Sequence, residues 1–195
     1  MIEHTVRGED WYARDIGRET FSRTEFIDVD MTEATTSGTV FEECSFVNVK
    51  FNASTHTDTA FVNCTFRGGN FFDATFTRCK LTGSTFRDCS WDIVKVVGGN
   101  WGFVGMPGAR LQGATFDGVT LREADLTSAR CSGASFLSCD LSGASLAKAD
   151  FDLADLRGSD LSAFDPATVS LRGAIITERQ AVAIAAAFGL QVRED

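Results

Sequence analysis

Between residues 16 and 176 a bulky apolar side chain stands at nearly every fifth position. Of the 33 residues on that comb, 30 are hydrophobic; Thr36, His56 and Pro166 are the exceptions. Hydrophobic residues make up 44% of the chain, so chance would fill fewer than half of these positions. Five matches neither the 3.6-residue period of an amphipathic helix nor the period of 2 of a half-buried strand. Thirteen of the 17 phenylalanines lie on the comb, and its register never slips. A second comb runs two residues before the first. From 24 to 174 it has 31 positions, and all but Phe164 are Ala, Cys, Ser, Thr, Val or Gly. Twelve of 18 glycines sit two residues after a large comb position.

Residues two apart on an extended chain point the same way. Each five-residue unit therefore sends one small and one large side chain inward. It then turns a corner, where glycine eases a positive φ. Short sides joined by corners coil into a parallel β-solenoid with rungs about 4.8 Å apart. Phe41, Phe46, Phe51, Phe61, Phe66, Phe71, Phe76 and Phe86 become its structural core. The period alone leaves the number of sides open. The likeness of FEECSF at 41–46 to FVNCTF at 61–66, a lag of 20, favours four.

After the repeat, Thr177-Glu178-Arg179-Gln180 has the S/T-x-x-E/Q spacing of a capping box, and Gly189 is placed as a C-terminal stop. The spacing predicts a helix over 178–188. Val182, Ile184, Ala185, Phe188 and Leu190 spread over more than one face, enough to cover the last coil and to meet a second copy. The division expected is 1–176 as the solenoid, with 1–20 as its N-terminal cap, and 177–195 as helix and tail.

Ala124-Asp125-Leu126, Ala149-Asp150-Phe151 and Ala154-Asp155-Leu156 fit the unit A-[D/N]-L-x-x. Over roughly residues 20–176 the chain resembles the pentapeptide repeat family. That resemblance implies a right-handed, four-sided β-helix with 20 residues per coil and about eight coils. The run QAVAIAAAFGL at 180–190 resembles the end of the fluoroquinolone-resistance branch of that family. For this chain the resemblance implies a homodimer joined through its C-terminal ends, an acidic rod that mimics DNA, and DNA gyrase or another type II topoisomerase as partner. It implies a protein that inhibits or modulates gyrase and shields it from fluoroquinolones or related poisons. A scaffold with a different partner, or a self-immunity factor against a gyrase-targeting natural product, are the alternatives.

The formal net charge is −9. Phosphates repel such a chain, so nucleic acid and anionic membrane are excluded as partners, whereas a basic surface built to hold DNA suits it. Residues 1–60 hold twelve acids and five bases, residues 61–109 three and five, and residues 110–176 nine and six. Glu25, Asp28, Asp30, Glu42 and Glu43 near one tip are the favoured contacts, followed by Asp140 and Asp160, one coil apart. An Asp just before a large comb residue is equally suited to a backbone hydrogen bond.

No catalytic, metal or cofactor constellation emerges, so no enzyme and no cofactor are expected. Five cysteines occupy the small comb and Cys131 the large one, as buried hydrophobes rather than ligands or disulfides. His56 faces inward or marks a distortion. VGGNWGFVGMPG at 97–108 lacks the GK[ST] of a phosphate loop and predicts a wider or bent coil, with Pro107 as a kink. Pro166 beside Phe164 predicts swapped large and small positions. The charged start MIEHTVRGED does not read as a signal peptide, which makes the cytoplasm the expected location.

Overall fold

The computed structural model describes residues 2–193. It is a parallel β-solenoid with one short helix at its C-terminal end. Every pairing joins residues 20 apart. Thr65–Arg67, for example, lies between Ser45–Val47 and Thr85–Arg87. Four five-residue sides thus make each coil, as the lag of 20 predicts. One column of bridges runs unbroken from Asp10 to Ser170 in eight steps, so the rod is roughly 40 Å long. Three of the four sides form sheets, the longest of seven strands, and the fourth is held by single bridges.

The large comb fills the axis. All eight core phenylalanines named above are buried, and rings one coil apart stack face to face. Phe26, Phe46, Phe66 and Phe86 stand 4.9, 4.7 and 4.5 Å apart, with interplanar angles of 8° or less. These spacings match the backbone rise, so ring stacking and strand pairing reinforce one another. Neighbouring columns meet edge to face, as Phe41 meets Phe46.

The small comb also feeds the backbone. Ser84 Oγ donates to the Phe61 carbonyl 2.9 Å away and accepts from the Cys64 amide. Ser159 does the same between Phe136 and Cys139. Thr39 donates to the Ile16 carbonyl, and the thiols of Cys44, Cys64 and Cys79 reach the carbonyls of Phe21, Phe41 and His56. A small donor at these positions satisfies a buried carbonyl of the preceding coil.

Corner residues adopt φ > 0 whether or not they are glycine. Ile93, Phe103 and Leu153 have φ of 53°, 59° and 60°. Closure of the square imposes this conformation even on β-branched and bulky side chains, for which it costs most.

The segment 1–20 is itself the first coil: His4–Arg7 pairs in register with Thr24–Ile27. The stretch 97–108 does not widen the rod. Lys80, Asn100 and Thr120 bridge in sequence, as do Thr85, Gly105 and Asp125, so Pro107 introduces no break. What is unusual there is Gly99, on the small comb at φ +94°. A Cβ there would lie 2.2 Å from the Cys79 carbonyl oxygen, so only glycine lets the coils approach. The swap near the last coil is present: Phe164 is buried and Pro166 only half-buried. The chain bulges there, so that the Lys148 amide bonds Thr168 O, one residue later than the usual interval of 19.

His56 lies within the stack, 4.7 Å from Phe76. Ser54 Oγ donates to Phe51 O, so it must accept from His56 Nε2–H at 2.9 Å. Nδ1 is then the acceptor for Thr36 Oγ1 at 2.8 Å, and Thr36 in turn accepts from Thr59. Two of the three exceptions to the comb are thus partners in one buried polar string. Burial pushes the His56 pKa from 6.5 down to about 3 and keeps the ring neutral.

Candidate interaction surface

With its axis filled, the rod offers other molecules only its outer faces and its two ends. The repeat fixes where acids can stand. An Asp or Asn just before a large comb residue accepts the amide two residues on, closing a turn. Asp30 does so for Thr32 at 3.0 Å, Asp140 for Ser142 at 3.0 Å and Asp160 for Ser162 at 2.8 Å. Those hydrogen bonds hold the carboxyls of Asp30 and Asp140 below the usual range. Lys50 also pairs with Asp30 at 2.9 Å, and Arg122 with Asp140 at 3.3 Å. These acids shape the backbone first, and two of them are already neutralised by a neighbour.

Glu25, Glu42 and Glu43 differ. Among the described residues their carboxylates make neither a hydrogen bond nor an ion pair. Asp28, at a corner with φ 54°, accepts only from the Asn48 side-chain amide. The structure gathers Glu25, Asp28, Asp30, Glu42 and Glu43 at one end of the rod, on three successive sides rather than one. Asp140 and Asp160 stack in one column towards the other end.

That other end is closed by the helix α1, Glu178–Ala187. Thr177 and Gln180 form the capping box. Leu190 N bonds Ala185 O and Gly189 N bonds Ala186 O, a Schellman stop with Gly189 at φ +75°. Gln180 does more than cap. Its Nε2 donates to the carbonyls of Leu156 at 2.7 Å and Ser159 at 2.8 Å, acceptors that another coil would otherwise have to serve. Sequence reasoning read Gln180 only as a helix cap; its second role depends on where the helix docks. Ile184 packs against the core and Ala185 is half-buried. Val182, Phe188 and Leu190 face away from the rod, with Phe188 and Leu190 each 63% exposed.

The cysteines are free thiols, and five of the six are buried. Burial raises Cys79 and Cys139 to about 11, and its neighbour Cys44 together with burial pushes Cys64 up. Such thiols stay protonated and unreactive. Among the described residues no group of acidic, histidine or cysteine side chains is placed to hold a metal ion, and no helix is long and apolar enough to cross a membrane.

The family model Pentapeptide repeats (8 copies) matches residues 108–136 and 124–162. No curated protein matches the chain. Among solved structures it is similar to HetL, a pentapeptide repeat protein involved in heterocyst differentiation regulation from the cyanobacterium Nostoc sp., at 20% identity and a TM-score of 0.65, over 87% of this chain and 84% of that one. It is also similar to a trypsin-treated QnrB1, a plasmid-mediated fluoroquinolone resistance protein, at 21% identity and a TM-score of 0.53, over 97% of this chain and 99% of that one. At these identities the two structures speak for the fold alone. The five-residue comb, the 20-residue coil and the family model agree: the chain belongs to the pentapeptide repeat family.

Proposed function

We infer that this protein is a DNA-mimicking binding protein without catalytic activity, directed at DNA gyrase or another type II topoisomerase. It inhibits or modulates the enzyme and protects it from fluoroquinolones or related poisons. One observation carries the reading. Residues 1–60, three coils or roughly 14 Å of rod, carry a net charge of −7, which is one charge per about 2 Å. B-form DNA carries one per about 1.7 Å. The next 49 residues are net positive, so the likeness to DNA is confined to the tip bearing Glu25, Asp28, Asp30, Glu42 and Glu43. With α1 at the opposite end, a homodimer joined through Val182, Phe188 and Leu190 carries an acidic tip at each extremity. The QnrB1 likeness supports the same reading.

A supercoiling assay with gyrase, with and without a fluoroquinolone, tests it. Inhibition or drug protection by the native chain, lost on Glu25→Lys/Glu42→Lys/Glu43→Lys, is the expected result. No effect on the enzyme and no binding to either subunit removes the reading. The alternative is a scaffold for a different partner, favoured by the closer structural match to HetL, a protein of regulatory description. Recovery of a non-topoisomerase partner from native cells, bound through the same acidic tip, would favour it.

A further inference from the structure

Wherever the rod places charges in register, it tends to oppose them: Glu3 with Arg23, Asp30 with Lys50, Asp58 with Arg78. In the middle of the rod the rule is reversed twice. Arg67 pairs in register with Arg87, and Arg110 bridges Arg130. Among the described residues none of the four joins an ion pair or a side-chain hydrogen bond. Like charges stacked one rung apart repel, so the arrangement costs the free protein stability and lacks a counterion.

The two arginine pairs stand on adjacent sides of the rod, and the corner between them is hollowed. A cleft of about 510 Å³ lies there, lined among others by Gly68, Cys89, Trp91, Pro107, Ala109 and Arg110. Its wall is open because the small-comb positions on this side narrow to Gly69, Cys89 and Ala109 beneath the bulk of Trp91. Asp88 and Asp92 also line it, so four arginines against two aspartates leave the region net positive.

The geometry points to a docking site for a short acidic peptide segment of a partner protein. The guanidinium forks on either side match carboxylates bidentately, and the cleft receives the peptide backbone between them. Arg67 to Arg130 spans about three rungs, roughly 15 Å, which is the reach of four or five extended residues. A longer polyanion such as duplex DNA would run from this patch onto the acidic coils on both sides, where it is repelled. The site is separate from the acidic tip and does not depend on the topoisomerase reading.

The test is titration of the full chain with hexaglutamate at low salt, read by calorimetry and by tryptophan fluorescence, since Trp91 borders the cleft. Saturable binding that weakens as salt is raised is expected. Arg87→Gln/Arg110→Gln should weaken it at least about fivefold while the melting temperature holds or rises, because repulsion is relieved. Arg157→Gln, which breaks only the Asp155 pair, should leave binding unchanged. A purely structural role for the four arginines predicts the opposite, lost stability without lost binding. Hexaglutamate binding unaffected by the double variant, no binding at all, or equally tight arginine-dependent binding of inorganic phosphate or of a DNA duplex each overturns the proposal.

Discussion

The two halves of the rod share one backbone register and are built from different cores. Before residue 100 the large comb holds ten phenylalanines, and only two of the 16 small-comb positions from 24 to 99 are alanine. After it the large comb is mainly leucine with three phenylalanines, and nine of the 15 small positions from 104 to 174 are alanine. The first half forms three-residue strands such as Thr65–Arg67 and Thr85–Arg87, whereas the second is held mostly by single bridges and aspartate-closed turns. Threonine and phenylalanine favour extended pairing, and rings stacked at the rung spacing hold it in register. The family model matches within 108–162 alone, because there the unit keeps its Ala-Asp-Leu form. The comparison teaches that the coil is specified by size alternation inside the rod, while the recognisable motif is only one way of supplying it.

The largest expected effect is that of Phe66→Asp. An unpaired charge on the stacked axis should abolish the cooperative thermal transition followed by circular dichroism, and a native-like melt would break the account of the core. Acid comes next and strikes the first half. The unfolded chain protonates His56 near pH 6.5, while the folded ring resists protonation down to about 3. Stability present above pH 6.5 is therefore lost as the pH falls through that window, by about 5 kcal/mol in all. Denaturant melts across the window check this, and His56→Phe should flatten the upper part of the profile. A direct comparison of the halves lies in one column. Phe66→Ala should cost about 3–5 kcal/mol and Leu126→Ala about 2–4, the difference reflecting the lost ring stack. Equal costs would show that stacking adds nothing beyond burial. Smallest is Gln180→Ala, expected to cost about 1–3 kcal/mol by orphaning the Leu156 and Ser159 carbonyls, with hydrogen exchange accelerating in the last coil before the first.

Much of this could be read in advance, and particular residues show why the rest could not. The combs locate every core phenylalanine, since inward and outward positions alternate locally along the chain. Thr177, Gln180 and Gly189 mark the helix ends because capping needs only near neighbours. His56 and Thr36 look like separate defects in the sequence; they are partners because 20 residues bring one above the other. The positive φ at Ile93, Phe103 and Leu153 is invisible, because glycine marks a left-handed corner only where closure leaves it a choice. The stretch 97–108 looks like a distortion from its glycines, yet the neighbouring coils hold its register.

By itself, then, the order of large, small and polar residues determined that the chain coils into a filled rod, where that rod ends and what caps it. These are short-range consequences of side-chain size and hydrogen-bonding capacity. Only the stacking of coils decided which charges meet. It turned Asp30 and Asp140 into turn-closing, ion-paired groups, left Glu25, Glu42 and Glu43 uncompensated at one tip, and set Arg67 on Arg87 and Arg110 on Arg130. Those neighbours lie a full coil apart in the chain, and their interaction exists only once the backbone has closed its square.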